Sequence, residues 1–311
     1  MLVCAGEALV DLVPDPRPGG GPMNTAVAAA RLGVPTAFLG RVSTDAHGDT
    51  IWQHLTASGV DLRLTERGHE PTCRAEVVGD PPVFHFHGDG TADVMLSADA
   101  TSPERLGLVG PGPHLLHGGT LSLFRQPAAE LYAELAMGWD GLVSLDPNAR
   151  PQIVGDEGRP AWRALFDRWM ANVALLRMSD ADAAWIHADE AGTDAEAVDV
   201  AVRSGLDAGA AAVVITESTG ATVHTAAGSV SAPSQRVDVV DTVGAGDSFC
   251  GGVLAWLHDA DIATKDALVE LDLDGWRHVL DTAGRVAAVT VQRVGADPPR
   301  RAEVVGAHWP S

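Results

Sequence analysis

Short apolar runs that alternate with amphipathic helical patterns constrain the fold of this chain more than any other feature. The strand-like runs lie at residues 2–5, 36–39, 115–117, 142–145, 174–176 and 212–215, and the helical patterns at 24–32, 48–57, 128–137, 159–171 and 195–208. Such alternation is typical of parallel strands with helices on both faces of a sheet. With 311 residues, the chain is long enough for one large core. The sequence therefore predicts a single α/β domain over residues 1–311, built on a mostly parallel central sheet.

One segment, at about residues 61–97, departs from this alternation. Two period-2 runs, 73–78 and 83–87, are joined by the sequence GDPP at 79–82 and predict a β-hairpin. An antiparallel flap inserted in an α/β domain is typical of a lid over a site, and a hairpin with a purely structural role is the alternative. His85 and His87 share one strand face, a pattern more typical of substrate-facing or solvated side chains than of a metal pair.

The stretch VVDTVGAGDSFCGG, residues 239–252, places small residues and an acid between an apolar run and a helical pattern. Residues 236–240 alternate like a strand, and the apolar positions 249, 253, 256 and 257 predict a helix that begins at about Gly246 or Asp247. Amides at a helix N-terminus and the helix dipole bind negative charge. The turn therefore predicts an anion site. A glycine turn that serves only helix–strand packing is the alternative.

Three other motifs that resemble this turn are excluded by single positions. A Walker-type phosphate loop requires a lysine after its second glycine, and none follows here. A dinucleotide fingerprint requires a third glycine where Phe249 stands. Esterases with a GDSL-type nucleophile end in Asp-x-x-His, and that pattern does not occur in this chain.

Charge and cysteine content limit the partners and the compartment. The 21 basic and 42 acidic residues give a net charge of −21, which disfavours nucleic acid and anionic membranes as partners. Lys265 is the one lysine, so an anionic substrate needs arginines, helix termini or a bound cation. Cys4, Cys73 and Cys250 lack metal or redox spacing, and Glu7 interrupts the N-terminal apolar run before it resembles a signal peptide. We expect a cytoplasmic protein with reduced thiols.

Polar residues follow several of the predicted strands. Asp11 lies beyond the first strand, DPNAR (146–150) follows the fourth, Thr216 follows the sixth, and Asp241 follows the strand expected at 236–240. In open α/β sheets, ligands bind outside the carboxyl ends of the strands. The sequence therefore predicts one shared site at this edge of the sheet.

Two motifs resemble the signatures of the ribokinase-like sugar kinases, the PfkB family. GGGPMNTAVAAARLG (19–33) resembles the N-terminal signature and DTVGAGDSFCGG (241–252) the C-terminal one. Similarity extends over nearly the whole chain through GRVSTDAHGD, HFHGDGTAD, SLDPNAR, LLRMSDAD and RVGADPP. SLDPNAR and RVGADPP are most similar to the fructokinase and 2-keto-3-deoxygluconate kinase branches. The resemblance implies a ribokinase-like fold with a small β-sheet lid, and ATP-dependent phosphorylation of a primary hydroxyl of a sugar.

The resemblance also implies a role for each matching residue. Asp247 is the expected catalytic base, and the amides of Gly244, Ala245 and Gly246 are the expected anion hole. The other expected contacts are, for the sugar, Asp11, Gly20, Asn24, Arg150 and His87; for the nucleotide, Thr216, Gly220 and Ser179; and for the metal ion, Asp182.

The implied cofactors are ATP and Mg²⁺, and the implied partner is a small-molecule sugar. A need for a monovalent cation and a homodimer formed through the lid are left open. Two motifs depart from the family: SDAD (179–182) stands where relatives carry Asn-x-x-Glu, and TESTG (216–220) is one residue shorter than Thr-x-Gly-x-x-Gly and lacks its first glycine. A sugar-binding protein that has lost turnover is therefore one alternative, and a nucleoside kinase of the same family is another.

The lid sequence bears on the substrate. Relatives that take acidic sugars such as 2-keto-3-deoxygluconate present tyrosine and arginine from the lid, where this chain has His87 and Gly88. Arg74, on the neighbouring lid strand, is a substitute only if it faces the site. A carboxylate buried without a cation is strongly disfavoured. We therefore expect a neutral hexose such as fructose, with 2-keto-3-deoxygluconate as the alternative.

Overall fold

The computed structural model describes residues 1–12, 15–78 and 83–310. Its strands are β1 (Leu2–Ala5), β2 (Leu9–Leu12), β3 (Pro16–Gly19), β4 (Thr36–Ser43), β5 (Thr65–Gly68), β6 (Arg74–Val78), β7 (Val83–His87), β8 (Leu115–Gly119), β9 (Val143–Asp146), β10 (Val173–Ser179), β11 (Ala212–Glu217), β12 (Gly220–Thr225) and β13 (Gly228–Pro233). Its helices are α1 (Gly21–Arg31), α2 (Ala46–Ala57), α3 (Pro103–Leu106), α4 (Ala128–Met137), α5 (Pro151–Met170), α6 (Asp180–Ile186), α7 (Asp194–Asp207), α8 (Ala245–Asp259), α9 (Lys265–Val269) and α10 (Leu273–Thr290).

A nine-stranded sheet in the order β13-β12-β11-β10-β9-β8-β1-β4-β5 forms the centre of the molecule. The strands from β5 to β11 in this order pair in parallel, and β12 and β13 continue the sheet antiparallel. The inner strands are mostly apolar, as expected for strands that are covered on both faces. The predicted mostly parallel α/β sheet is confirmed.

Helices cover both faces of this sheet and bury a separate apolar layer on each. On one face, α1, α8 and α10 contribute Met23, Leu254 and Trp276. On the other face, α4 and α5 contribute Tyr132 and Trp162. The two layers hold the carboxyl ends of the parallel strands at one rigid edge, where the loops gather.

A second, four-stranded sheet in the order β3-β2-β6-β7 lies apart from the central one. The predicted hairpin strands are present as β6 and β7, which pair antiparallel with Arg74 opposite His87. Their connecting turn, 79–82, lies outside the described residues. The hairpin alone does not form this sheet, because β2 and β3 come from the N-terminal region and β2 pairs in parallel with β6. Asp11 therefore lies within a strand of the small sheet.

One predicted strand is wrong. Residues 236–240 are extended but pair with no strand in the described part of the chain, and Val239 is 61% exposed. The amide of Val240 donates to the carbonyl of Val291, at 2.8 Å, after the end of α10. The alternation arises because Val237 and Val239 line a groove on the same side, so Asp241 follows a loop and not a strand. The helix after it, α8, begins one or two residues earlier than predicted, at Ala245.

Among the described residues, no helix combines the length and the apolar character needed to cross a bilayer.

Candidate active site

A cavity of about 380 Å³ opens at the carboxyl edge of the central sheet, beneath the small sheet. Five of the residues that the sequence assigned to a site lie on its wall, namely Asp11, Gly20, Asn24, Arg150 and Asp247. They come from β2, the start of α1, the loop after β9 and the start of α8. The ends of distant chain segments thus converge as expected for an open α/β sheet.

The turn before α8 forms the floor between this cavity and a neighbouring groove. Gly244 is the N-cap of the helix and has φ +75°, in the left-handed region that glycine adopts readily. Among the described residues, the amides of Gly244 and Gly246 have no hydrogen-bond acceptor, whereas the amide of Ala245 donates to the Thr242 carbonyl at 3.2 Å. The turn therefore presents two free donors at the positive end of a helix dipole.

Helix–helix packing explains the later glycines of the motif. A Cβ at Gly251 would lie 2.5 Å from that of Ala28, so this glycine lets α8 approach α1 closely. The earlier part of the turn, 244–246, has no such role against α1. The helix–strand packing alternative applies at Gly246, where an added Cβ would lie 2.9 Å from Arg177 Nη1 of β10, and the anion-site prediction rests on the free amides of Gly244 and Gly246.

Asp247 is buried in the first turn of α8, with its carboxylate facing the cavity. Asn24 Nδ2 donates to Asp247 Oδ2 at 2.8 Å, and Thr25 Oγ1 donates to the Asp247 carbonyl at 3.3 Å. Burial raises the pKa of Asp247 to about 6, against the opposing effect of the hydrogen bond from Asn24. A carboxylate with a pKa near 6 is well matched to accept a proton at neutral pH.

Asp11 faces the same cavity from the small sheet. Burial raises its pKa to about 6, while the positive charge of Arg150 acts in the opposite direction. The Arg150 guanidinium is itself held by its own loop: Nη1 donates to the Asn148 carbonyl at 3.1 Å, to the Asn148 side chain and to the Ala149 carbonyl. Asp11 and Asp247 thus place two carboxyl groups of raised pKa beside one tethered cation.

Glu7 is a site residue that sequence reasoning missed. Its carboxylate is buried, and it accepts hydrogen bonds from the amides of Gly21, at 3.0 Å, and Ser122, at 2.9 Å. The Glu7 side chain thus holds the start of α1, at Gly21, next to the segment at Ser122. The sequence did contain a signal for this residue, an acid inside an otherwise apolar N-terminal run.

Thr120 went unnoticed in the sequence, and Asn148 was noted only as part of DPNAR (146–150), with no role of its own. Both line the cavity, and both have a positive φ, +55° and +37°, which is uncommon outside glycine. Asn148 Nδ2 donates to Thr120 Oγ1 at 3.3 Å. Strained backbone of this kind clusters at binding sites, where the surroundings hold it in place. No residue-type pattern in the sequence marks it.

A groove of about 370 Å³ lies on the other side of the glycine turn. Thr216 and Gly220 line it from the β11–β12 hairpin, and Ala245 and Gly246 from the start of α8. Leu280, from α10, contributes to its apolar wall. The groove meets the cavity at the turn, with Asp247 on the cavity side and Gly246 on the groove side.

Ser179 and Asp182 line neither space. They form a capping box at the start of α6, in which Asp182 Oδ2 accepts from the Ser179 amide at 2.9 Å and from Ser179 Oγ at 2.6 Å. Asp182 Oδ1 accepts from the Ala149 amide at 2.8 Å. Oδ1 thus fastens the loop after β9 to α6, and Oδ2 completes the N-terminal cap of α6. In the described part of the chain, no three His, Cys, Asp or Glu side chains cluster as a metal site.

His87 does not reach the cavity either. Phe86 and Ala75 face it from β7 and β6, so the adjacent side chains of His87 and Arg74 point to the opposite side of the small sheet. His87 Nε2 lies 3.4 Å from Glu76 Oε2 on that side. The small sheet therefore presents apolar surface, together with Asp11, to the cavity.

Comparisons with known proteins agree with this geometry. A family model described as pfkB family carbohydrate kinase matches residues 14–302. A fructokinase of Rhizobium leguminosarum bv. trifolii is 34% identical over 89% of this chain and 86% of that protein. The crystal structure of fructokinase with bound ATP from Xylella fastidiosa superposes with a TM-score of 0.85 at 24% identity, over 98% of this chain and 97% of that one. The fructokinase of Vibrio cholerae O395, in a fructose-, ADP- and calcium-bound form, gives 0.81 at 24% identity, over 98% of both chains.

Proposed function

The chain belongs to the pfkB family of carbohydrate kinases and is a sugar phosphotransferase, and on this premise we propose that it transfers the γ-phosphoryl group of ATP to a primary hydroxyl of a neutral hexose such as fructose. The observation that carries the proposal is the position of Asp247. Its carboxylate is buried between a cavity of sugar size that contains several polar side chains and a groove with an apolar wall, at a helix N-terminus with free amides.

In this proposal each side of the glycine turn has one task. The sugar occupies the cavity, where Asp11, Asn24 and the backbone at Gly20 hold its hydroxyls, and Asp247 accepts the proton of the attacking hydroxyl. The nucleotide occupies the groove between the β11–β12 hairpin and α10. The amides of Gly244 and Gly246 stabilise charge that develops on the transferring group, and Ala245 contributes mainly to the shape of the turn.

Mg²⁺ bound to the nucleotide would neutralise phosphate charge. This ion is commonly held by one or two carboxylates together with substrate phosphates and water. Both Asp182 oxygens already accept protein hydrogen bonds, so we assign Asp182 and Ser179 contact with the ion only through water. Exchanging K⁺ for a tetraalkylammonium ion in the activity assay tests the need for a monovalent cation.

The charges of the cavity support a neutral substrate. Glu7, Asp11 and Asp247 place three carboxyl groups on its wall, and Arg150 is the one cation on the described part of that wall. The Arg150 guanidinium is already engaged by Asn148 and Ala149. A carboxylate on the sugar would meet these acids with a single, partly occupied cation, whereas hydroxyl groups find both donors and acceptors.

We expect kcat/KM to be at least about tenfold higher for fructose than for 2-keto-3-deoxygluconate, because a buried carboxylate lacks a free cation here. ADP release measured with both sugars, with adenosine as a nucleoside acceptor, checks this. A tenfold preference for the acid contradicts the neutral-hexose proposal. ATP binding without ADP release for any sugar of a wide panel supports instead a binding protein that has lost turnover.

The acid limb of the pH profile tests the base. Because Asp247 must be ionised to accept a proton and its pKa is about 6, we expect kcat to fall about tenfold per pH unit below that value. The hydrogen bond from Asn24 lowers the pKa of Asp247, so Asn24→Ala should move the limb of kcat to higher pH.

Thr25→Val is the matched control for the pH experiment. Thr25 bonds only the Asp247 carbonyl, so this variant should leave the limb of kcat in place. Asp11 also has a pKa of about 6, and its protonation is expected to affect sugar KM. An Asn24→Ala profile that is unshifted, or shifted to lower pH, would remove Asp247 as the titrating base.

Compartment and assembly complete the proposal. Cys4, Cys73 and Cys250 are buried and unpaired, which supports a reducing compartment, the cytoplasm.

The outer strands of the small sheet, β3 and β7, have no further partner in the described part of the chain. Open sheet edges favour pairing with another chain, and we propose a homodimer through this sheet, which sedimentation velocity measures directly.

A further inference from the structure

Arg177 lies two residues before the end of β10, beneath the glycine turn. Its side chain is 11% exposed, and its guanidinium joins the ends of three neighbouring strands. Nη1 donates to Asp146 Oδ2, at the end of β9, at 2.7 Å, and Nη2 donates to Thr216 Oγ1, near the end of β11. Motif matching in the sequence assigned Arg177 no role.

Stability alone is a poor explanation for this ion pair. The Asp146 side chain is 4% exposed, and two charges removed from water to this extent seldom stabilise a fold more than apolar residues would. The pair is also incompletely bonded, because Arg177 Nε and Asp146 Oδ1 are buried without a hydrogen-bond partner among the described residues. Burial alone would lower the pKa of Arg177, but the charge of Asp146, the other negative groups nearby and the hydrogen bond to Asp146 together outweigh burial and raise that pKa, so the guanidinium stays charged.

The cation faces the place where the groove meets the cavity. A Cβ added at Gly246 would lie 2.9 Å from Arg177 Nη1, so the side chain occupies the space that a larger residue in the turn would take. Arg177 is also the one cation among the described residues that line the groove. In a chain of net charge −21, a polyphosphate in this groove has no other positive side chain beside it.

We propose that Arg177 is the phosphate-binding cation of this kinase, contacting the phosphate chain of the nucleotide beside Gly246, and that Asp146 and Thr216 are positioning residues that hold its guanidinium there. The proposal rests on the proposed function, since it places the nucleotide in the groove. It explains why Gly246 lacks a side chain, why a buried charge pair is kept beneath the turn, and how an acidic chain binds an anionic cosubstrate.

The test compares nucleotides that differ only in their phosphates. Arg177→Gln should lower kcat by about 10² to 10³ and weaken ATP binding by at least about tenfold. Adenosine binding should change less than about twofold, because adenosine carries no phosphate for Arg177 to contact. Arg277→Gln, which removes an exposed arginine of α10, is the control and should change neither quantity. Calorimetry with ATP, ADP, AMP and adenosine, together with steady-state kinetics, gives these values.

Equal losses of affinity for ATP and adenosine, or a kcat within threefold of wild type, would overturn the proposal and leave Arg177 a packing role. If Arg177→Gln does not fold, Arg177→Lys and Thr216→Val decide. Each of these two variants should lower kcat and keep the affinity for adenosine. An unchanged kcat in both variants would also overturn the proposal. Failure of the proposed function gives a different result. If the wild type phosphorylates no sugar, calorimetry still shows whether Arg177→Gln weakens the binding of ATP more than that of adenosine.

The contact with Gly246 provides a second, independent measurement. Gly246→Ala should lower kcat in the wild-type background, because the new methyl group displaces the guanidinium. In the Arg177→Gln background the same change should have a much smaller additional effect. Strictly additive effects in this double-mutant cycle would show that the two residues act separately and would count against the proposal.

Discussion

Replacing Asp247 with asparagine is expected to lower kcat by about 10² to 10⁴ with sugar affinity largely kept. The amide cannot accept the proton of the attacking hydroxyl, but it keeps the volume of the side chain and can still accept the hydrogen bond from Asn24. Steady-state kinetics and sugar titration of the folded variant measure both quantities. Near-normal turnover would remove Asp247 from the mechanism.

The same variant should gain stability, which separates lost chemistry from lost folding. The pKa of Asp247 is raised from 3.8 to about 6 by burial, so its ionised form destabilises the folded state above that pH and has no effect below 3.8, where both states are protonated. Asp247→Asn should therefore raise Tm at pH 8 and change it little at pH 4. Asp266→Asn, an exposed acid in the first turn of α9, is the control and should change neither kcat nor this Tm difference.

The second large effect is expected at Gly244, where alanine should lower kcat by about 10² to 10³. A Cβ there would lie 2.5 Å from the Cβ and 2.8 Å from the Cα of Ala296, at φ +75°. The backbone of Ala296 cannot move aside as a flexible side chain does, so the turn must shift. Its amides would then no longer point at the transferring phosphoryl group. Loss of one such donor commonly lowers kcat by about this factor.

Gly59→Ala is the matched control for backbone strain. Gly59 has φ +84°, and a Cβ there meets nothing within 4 Å. Both alanines should destabilise the fold by about 1 kcal/mol or more through strain, and only Gly244→Ala should also lower kcat. A Gly244→Ala enzyme with the kcat of Gly59→Ala would mean that the turn does not stabilise the transferring group.

The fold was predictable where apolar periodicity decides the local structure. The strand at 2–5 and the helix at 128–137 have the predicted bounds, because burial on both faces makes the strand a continuous apolar run and packing on the sheet imposes a period of 3.6 on the helix. β3 was missed because it is a short edge strand with Pro16 and Pro18 in four residues, a composition that indicates a loop. The alternation at 236–240 was misleading because a groove wall can impose a period of 2 without a sheet.

The candidate site was predictable to the extent that its residues follow strands or carry a motif. Asp11 and Arg150 were found because they come after β1 and β9, and Asn24 and Asp247 because they belong to the two motifs; all four lie on one cavity. Arg177 had a local signal, a charge inside an apolar strand, but its partners are 31 and 39 residues away along the chain. The contacts of Arg177 form because β9 and β11 flank β10 in the sheet. Local sequence does not determine the order of the strands.

The membership of Asp11 in β2 has a mechanical consequence. β2 follows β1 of the central sheet after three residues and pairs with β6, so any rotation of the small sheet carries the Asp11 carboxylate with it. Asn24 belongs to α1, which is packed into the main core. A hexose held by both side chains would act as a removable cross-link between the small sheet and the main core, beside the packing of Leu9 and Cys73 against Leu121. Bound sugar would then limit the rotation of the small sheet relative to the main core.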